Sequence, residues 1–212
     1  MMIVSDISPF KGSMMCVTLA GGGLSQEMKI YIHSDIIRQN GVSKGMDISE
    51  EEADRLIYKN DLRRARERAL YLMESRDHSY RELFDKLEKN YPDEICLEVC
   101  NRLAEIGIVN DRRYAEKLCR QLFEVKKLGR YRVKQEMRLR GLSPEIIEEA
   151  MEIFLEEDEP FLRLEKLVEQ KYERYLTDRK GVEKVKNALV RKGYSFGEIK
   201  EVLELYDLDF DD

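Results

Sequence analysis

The feature that most constrains this 212-residue chain is an internal repeat with a period close to 51 residues. An apolar stripe with the spacing 0, 3, 4, 7 occurs three times, and its later copies follow at offsets of 51 and 52 residues. Such a stripe places four apolar side chains on one face of an α-helix. The three stripes are Cys96, Val99, Cys100 and Leu103; Ile147, Ala150, Met151 and Phe154; and Ile199, Val202, Leu203 and Tyr206.

A helix end is predicted six residues before each stripe. Asn90, Gly141 and Gly193 occupy these positions, and both residue types tolerate the left-handed conformation that ends many helices. An apolar pair at helical spacing precedes each of them, and Pro144 after Ser143 fits the first turn of the second stripe helix. The apolar pairs are Leu83 with Leu87, Val133 with Met137, and Val185 with Leu189.

Each unit also begins with a helix of its own. Ala65, Ala69 and Leu72 have counterparts fifty residues later in Ala115, Cys119 and Leu122, and Leu164, Leu167 and Val168 suggest the third copy. The sequence therefore predicts a mainly α protein of three tandem three-helix repeats at 62–110, 111–158 and 159–212, the last with an acidic tail. Because each repeat contacts mainly its neighbours, we expect an elongated, curved body. The period is too long for tetratricopeptide or HEAT repeats.

Residues 1–61 have a different pattern. Two β-prone runs at 14–19 and 28–32 flank the glycines at 21–23, which predicts a hairpin with Ile3–Val4 as a third strand. Ser34 is expected to cap a short helix ending at Asn40–Gly41, and Ser49 to cap another with acidic residues in its first turn. A small β-hairpin region with short helices is therefore expected before the repeats.

Several classes of protein are disfavoured by composition. No apolar run approaches the roughly 18 residues of a membrane-spanning helix, and the first residues lack the pattern of a secretory signal, so we expect a cytoplasmic protein. Cys96, Cys100 and Cys119 occupy positions that are apolar in the other repeats, which indicates small buried side chains rather than a metal or redox site. Only two histidines occur, and no phosphate loop or nucleophile motif is present, so neither an enzyme nor a cofactor is expected.

A basic block stands out in an otherwise acidic chain of net charge −6. Residues 112–140 contain 11 basic and 3 acidic side chains. Acids for pairing at i, i+4 are scarce there, and Arg130, Lys134 and Arg138 share one helix face, so we interpret the block as a binding surface for an anionic partner. The alternative is the solvated face of two helices. The candidate residues are Arg112, Arg113, Lys117, Arg120, Lys126, Lys127, Arg130, Arg132, Lys134, Arg138 and Arg140.

The other charged segments give weaker indications of a binding surface. The cluster Arg63, Arg64, Arg66 and Arg68 is partly offset by nearby acids and is interpreted as a solvated helix face. The acidic stretch 156–159 is interpreted as a turn between repeats, and residues 207–212 as an acidic tail. Docking of Phe210 and its flanking aspartates on a basic partner is the alternative for the tail.

The amino-acid sequence of the repeats resembles that of the RecX family of recombination regulators. The similarity lies in 69–72, 82–87 and 103–111 of the first repeat, 127–129 and 136–142 of the second, and 189–195 of the third. Residues 43–48 and the hairpin resemble the family's N-terminal extension. The order and spacing of these segments carries the resemblance, since no single one is diagnostic.

The resemblance implies a regulator that binds the RecA recombinase filament on DNA. Members of the family lie in the helical groove of the filament and inhibit strand exchange, ATP turnover and the co-protease function. A monomer with weak direct affinity for DNA is expected. The acidic balance and the segment 207–212 depart from the family pattern. A stand-alone DNA-binding regulator, built from units that imitate helix-turn-helix modules, is the alternative, and a pure protein scaffold is the third hypothesis.

Overall fold

A computed structural model describes residues 1–21, 26–156 and 159–206 of the chain. The chain divides into two compact units. The first contains Met1–Arg76 and Phe84–Glu105, and the second contains Asp77–Leu83 and the chain from Ile106 onward. The prediction of a mainly α protein with three three-helix repeats and a small N-terminal antiparallel sheet is confirmed. The centre of the glycine turn, the middle of the stretch 156–159 and the whole segment 207–212 lie outside the described residues.

The N-terminal sheet is antiparallel, with the strand order β3-β2-β1-β4. Its strands are β1 (Met2–Lys11), β2 (Met14–Gly21), β3 (Met28–His33) and β4 (Asp47–Ile48). The predicted hairpin is the β2–β3 pair, whereas the third strand is ten residues long and extends well beyond Ile3–Val4. Val4, Val17, Leu19 and Ile32 turn inward and are at most 1% exposed, so alternate residues of the strands build one core.

The short helix α1 (Ser34–Gln39) begins one residue earlier than expected. His33, not Ser34, is its N-cap, because the backbone is still extended at His33 and its Nδ1 accepts a hydrogen bond from the amide of Asp35 at 3.1 Å. The predicted end at Asn40–Gly41 is confirmed, since Asn40 is the C-cap and Gly41 has a φ of +63°.

A single helix, α2 (Glu50–Ser75), runs through the boundary predicted at residues 61 and 62. Ser49 caps it as expected and forms a capping box with Glu52. No glycine or proline interrupts the next 26 residues, so the first turns join the sheet core through Ala53 and Leu56 while later turns belong to the first repeat. The residue at which the N-terminal region ends stays a prediction.

The first repeat combines the later turns of α2 with α3 (Tyr80–Leu87) and α4 (Asp93–Glu105). The four stripe residues of α4 are at most 3% exposed, and α2 packs against this helix. The left-handed conformation predicted at Asn90 is wrong. Among the non-glycine residues that the structure describes, Lys127 alone has a positive φ. No earlier repeat exists for this turn to approach closely, so the tight geometry of its counterparts is not required here.

The second repeat contains α5 (Asp111–Arg120), a π-helical turn (Gln121–Val125), α6 (Arg130–Leu139) and α7 (Pro144–Glu156). Its core includes all four residues of the predicted stripe on α7, and Pro144 begins that helix as expected. The rings of Phe123 and Phe154 stack with centroids 4.7 Å apart at the centre of this core.

The third repeat contains α8 (Pro160–Lys171), a 3-10 turn (Glu173–Tyr175), α9 (Arg179–Lys192) and α10 (Phe196–Leu203). Leu164, Leu167 and Val168 are buried, which confirms the leading helix. The predicted left-handed glycines are also confirmed, with φ of +73° at Gly141 and +89° at Gly193. Within the described ranges, no helix combines the length and apolarity required to cross a membrane.

Candidate partner-binding surface

The eleven candidate cations all lie on the first two helices of the second repeat or beside them. Lys126 and Lys127 follow the π-helical turn, and Arg140 is the C-cap of α6. The others are Arg112, Arg113, Lys117 and Arg120 on α5, and Arg130, Arg132, Lys134 and Arg138 on α6. Their neighbours divide them into a neutralised set and an unpaired set.

Six of these cations form ion pairs. The pairs are Arg112–Glu149 (3.3 Å), Lys117–Asp77 (2.7 Å), Arg120–Glu124 (3.2 Å), Arg132–Glu136 (2.7 Å), Lys134–Glu148 (2.6 Å) and Arg140–Glu82 (3.1 Å). A seventh cation, Arg113, donates to the carbonyls of Gly107 and Ile108. Only Arg120 and Arg132 pair at i, i+4, in agreement with the scarcity of such acids in the sequence. The other four carboxylates lie on α3, on α7 and in the turn before α3, so most of the block is neutralised from elsewhere in the chain.

Repulsion between the like charges on the shared face of α6 is also weaker than the sequence suggests. Lys134 Nζ donates to both carboxylate oxygens of Glu148, at 2.6 and 2.7 Å. Arg130 and Arg138, one turn away on either side, are exposed and have no ion-pair partner among the described residues. Of the three like charges predicted on this face, two remain available to an outside partner.

Two joints connect neighbouring helices within the second compact unit. The first joint brings the start of α3 against the end of α6. Ser79 Oγ donates to the carbonyl oxygen of Arg140, and Ser79 is fully buried. A Cβ added to Gly141 would lie 2.4 Å from Cβ of Arg81, so this turn packs without space for a side chain.

The first joint is rich in acids that neutralise its cations. Glu82 accepts hydrogen bonds from Arg140 Nη1 at 3.1 Å and from the Tyr114 hydroxyl at 3.0 Å. Burial, with the neighbouring Glu82, raises the pKa of Tyr114 and keeps its hydroxyl protonated. The hydrogen bond from Lys117 lowers the pKa of Asp77, so that pair is ionised at neutral pH.

The second joint occupies the equivalent position in the repeat, between the start of α6 and the end of α9, and its hydrogen bonds join backbone groups. Gly129 N–H donates to the carbonyl of Lys192 at 2.9 Å, and Tyr131 N–H donates to that of Gly193 at 3.2 Å. A Cβ on Gly193 would lie 2.4 Å from the backbone nitrogen of Arg132. Arg81 and Arg132 are 51 residues apart, and Gly141 and Gly193 are 52 apart, so the joint shares the period of the repeat.

The loop entering the second joint is pinned through its carbonyl oxygens. Lys192 Nζ donates to the carbonyls of Lys126 and Lys127, at 3.0 and 3.4 Å, and the Tyr194 hydroxyl donates to the latter at 3.2 Å. These bonds hold Lys127 at a φ of +51°, a conformation that costs a non-glycine residue about 1 kcal/mol. Burial, with a smaller contribution from Lys171, lowers the pKa of Lys192.

Exposed cations and exposed apolar side chains meet at this second joint. Arg191, in the last turn of α9, was missed from sequence because it lies outside the basic block. Val125, Tyr131 and Phe196 are 73%, 70% and 79% exposed, although large apolar side chains normally seek burial. Their positions outside the apolar stripes were the available signal. We call this set the junction patch: Val125, Lys126, Lys127, Arg130, Tyr131, Arg191 and Phe196.

The remaining chemistry-bearing side chains lie in the cores. Cys96, Cys100 and Cys119 are buried, as expected, and burial raises the pKa of the Cys100 and Cys119 thiols to about 12, which disfavours the reactive thiolate. His78, in the turn between α2 and α3, is only 2% exposed. Over the described residues, no group of three or more histidine, cysteine or acidic side chains could hold a metal ion.

Three family models match the chain in the order of its repeats. They describe the first, second and third three-helix domains of RecX and match residues 65–103, 110–151 and 157–203. The chain belongs to the RecX family. Regulatory protein RecX of Clostridioides difficile (strain 630) is 28% identical over 185 residues, with 86% of each chain covered. Regulatory protein RecX of Trichlorobacter lovleyi is 30% identical over 140 residues, covering 64% of this chain and 91% of the relative.

Solved RecX structures share the fold. A crystal structure of regulatory protein RecX matches 96% of this chain and 100% of its own, with a TM-score of 0.67 and 19% identity. The crystal structure of RecX from Lactobacillus salivarius matches 71% of this chain and 99% of its own, with a TM-score of 0.62 and 24% identity. The fold and the family together make this chain a RecX-type regulatory protein.

Proposed function

We propose that this chain binds the RecA recombinase filament on DNA, in its helical groove, and inhibits strand exchange, ATP turnover and the co-protease function without performing chemistry of its own. Family membership supports the class of partner. The observation that carries the proposal is the unpaired cationic surface at the start of α6, since a DNA-bound filament is a strongly anionic polymer.

The proposed contact surface is narrower than the basic block. Arg112, Lys117, Lys134 and Arg140 are engaged with carboxylates of the chain itself, so their charge is largely cancelled. The block cations with neither an ion pair nor a side-chain hydrogen bond in the described part of the chain are Lys126, Lys127, Arg130 and Arg138. Arg191 of the third repeat, which lies at the second joint, is likewise exposed and forms no ion pair there. We expect these five to make the electrostatic contacts.

Inhibition follows from preferential binding to one state of the filament. A protein that contacts neighbouring recombinase protomers stabilises the arrangement it fits, and it shifts the filament by no more than its difference in affinity for the two states. A monomer is sufficient for this mechanism, because each copy supplies its own contact surface.

Co-sedimentation tests the proposal. The chain is mixed with RecA filaments on DNA, with bare DNA, and with RecA alone, each at about 50 and 200 mM salt, since phosphate contacts weaken steeply over that range. We expect the chain to pellet with the filament much more strongly than with either component. Equal binding to bare duplex DNA would replace the proposal with a stand-alone DNA-binding regulator, and binding to none of the three would favour a scaffold for other proteins.

A charge-reversal pair links the binding to the surface. Arg130→Glu with Arg138→Glu should lower filament binding and inhibition of strand exchange while leaving the helical circular dichroism unchanged, because neither arginine has an acidic partner to lose. Lys89→Glu with Lys184→Glu is the matched control, since both lysines are exposed and the change in net charge is the same. Equal losses in both variants would reject this surface as the contact.

A further inference from the structure

None of the four cations of the junction patch forms an ion pair within the described part of the chain, although Lys127 lines a cavity together with Glu124 and Glu159. The nearest carboxylates along the chain are already engaged: Glu124 pairs with Arg120 and Glu136 with Arg132. Glu198 accepts hydrogen bonds from the amide and hydroxyl of Ser195 in the capping box of α10. Four cations and three exposed apolar side chains therefore lie together with nothing in the described part of the chain to cover them.

The segment 207–212 has the complementary chemistry. Its sequence Asp-Leu-Asp-Phe-Asp-Asp contains four carboxylates that could face Lys126, Lys127, Arg130 and Arg191. Leu208 and Phe210 alternate with the acids, so an extended segment would present apolar side chains on one side and aspartates on the other. The patch offers both partners, in Tyr131 and Phe196 and in the surrounding cations.

The segment is long enough to return to the patch. Phe196 begins α10 and Tyr206 lies ten residues later, a distance of about 15 Å at the rise of an α-helix. Six extended residues span about 20 Å. Burial, with smaller contributions from Glu173, Glu169 and Glu165, raises the pKa of Tyr206, so acidic side chains lie near the residue that precedes the segment.

We propose that residues 207–212 dock on the junction patch of the same molecule, with Phe210 against the exposed aromatic side chains and the aspartates against the unpaired cations. The docked segment occupies the surface proposed above for the filament and so competes with an anionic partner. This regulatory consequence rests on the proposed function, whereas docking itself does not.

The effect of this competition on the apparent affinity for a partner follows from how often the segment covers the patch. If the segment covers the patch nine-tenths of the time, one molecule in ten is free to bind, and removing the segment raises the apparent affinity for an anionic partner about tenfold. Because the attraction is electrostatic and partly exposed to solvent, this gain should shrink as the salt concentration rises.

A tryptophan reporter tests docking in the protein alone. The chain contains no tryptophan, so Phe210→Trp gives a single emission signal from the segment. We expect blue-shifted emission and reduced quenching by acrylamide, a neutral quencher, relative to a synthetic peptide of residues 204–212 with the same change. Reversal of Lys126, Arg130 and Arg191 to glutamate should return the emission to that of the peptide. Emission like the peptide's in the otherwise unchanged protein would overturn the proposal.

A second variant guards against disruption of the fold by charge reversal. Replacing the four aspartates of the segment by asparagine, in the Phe210→Trp background, leaves the folded body untouched and should also release the reporter. Four exposed glutamates elsewhere are neutralised as the matched control, which should leave the reporter docked: Glu94→Gln, Glu116→Gln, Glu152→Gln and Glu201→Gln. Release in the control as well would attribute the signal to net charge and not to docking.

Competition is measured with an oligo(dT) probe, which requires no recombinase. Deletion of 207–212 should tighten probe binding about tenfold at low salt, and the matched control should tighten it much less. Docking by fluorescence without any effect on the probe would place the segment away from the cationic surface and overturn the competitive part. No binding of recombinase filaments by either form would reject the proposed function while leaving the docking result intact.

Discussion

The two joints of the second compact unit occupy equivalent positions in the repeat and differ in charge. In the first joint, Ser79 binds the carbonyl of Arg140, and in the second, Gly129 binds that of Lys192. Carboxylates of Asp77 and Glu82 surround the first joint and neutralise its cations. At the second joint Arg132 pairs with Glu136, whereas Lys126, Arg130 and Arg191 are exposed and form no ion pair among the described residues.

This difference distinguishes charged side chains that stabilise the fold from charged side chains that are available to a partner. Acids that neutralise every cation are not required to hold such a joint, because the second is held by backbone hydrogen bonds and close packing. Cations without a partner in the chain are better suited to contact an anionic surface. A cation that is already paired would first have to give up its own carboxylate in exchange for the partner's anion. We therefore assign stability to the charges of the first joint and recognition to those of the second.

The largest effect is expected from a side chain at Gly193. Gly193→Ala combines a φ of +89° with a Cβ only 2.4 Å from the backbone nitrogen of Arg132, which cannot move without shifting α6. Left-handed strain and overpacking together should lower the free energy of unfolding by about 3–5 kcal/mol. Denaturation by urea, followed by circular dichroism, measures the change.

Alanine substitutions at two other glycines provide comparisons for the loss of unfolding free energy at Gly193. Gly107→Ala has a similar φ of +74° but no atom within 4 Å of the new Cβ, so it reports the backbone strain alone, at about 1 kcal/mol. Gly141→Ala should fall between them, because its closest contacts are side-chain atoms of Arg81. Equal losses at Gly107 and Gly193 would show that the second joint is looser than described.

A pair of arginine truncations compares the charges of the two joints. Arg140→Ala removes a cation that pairs with the mostly buried Glu82 and should cost about 1–2 kcal/mol of unfolding free energy. Arg130→Ala removes an exposed side chain with no acidic partner and should cost less than about 0.5 kcal/mol. Thermal or chemical denaturation distinguishes the two, and a large loss at Arg130 would contradict its assignment to recognition.

A further effect on stability concerns the Lys117–Asp77 pair and depends on pH. Its hydrogen bond lowers the pKa of Asp77, so the stabilisation is present above the ordinary aspartate pKa and is lost as the pH falls through the lowered value. Lys117 is mostly exposed, so Lys117→Ala should cost only about 0.5–1 kcal/mol at pH 7. The difference from the unchanged protein should shrink as the pH falls below the ordinary aspartate range, and a difference independent of pH would assign it to packing.

Local periodicity predicted the repeats correctly because each helix buries one stripe. Apolar spacing alone predicts the stripes on α4, α7 and α10, and glycine alone predicts the helix ends at 141 and 193. No tertiary information was needed for either. Asn90 misled the prediction because its tolerance of left-handed geometry does not require it. That conformation depends on a neighbour packed against the turn, as at Gly193.

The candidate site was predictable only in part because ion pairs join residues distant in sequence. Glu82 and Arg140 are 58 residues apart, and Asp77 and Lys117 are 40 apart, beyond the reach of helix spacing rules. Arg191 and Phe196 were missed for the same reason. They join the basic block only because the second joint brings the end of α9 to the start of α6.

Filament binding by a variant of the second joint tests the central assignment most directly. Lys126→Glu, Arg130→Glu and Arg191→Glu are combined and compared with Lys89→Glu, Lys180→Glu and Lys184→Glu, which change the net charge equally at exposed positions. Co-sedimentation with RecA filaments at low salt should show binding reduced at least about tenfold in the first variant and nearly unchanged in the second. Undiminished binding of the first variant, with its helical circular dichroism intact, would contradict the account.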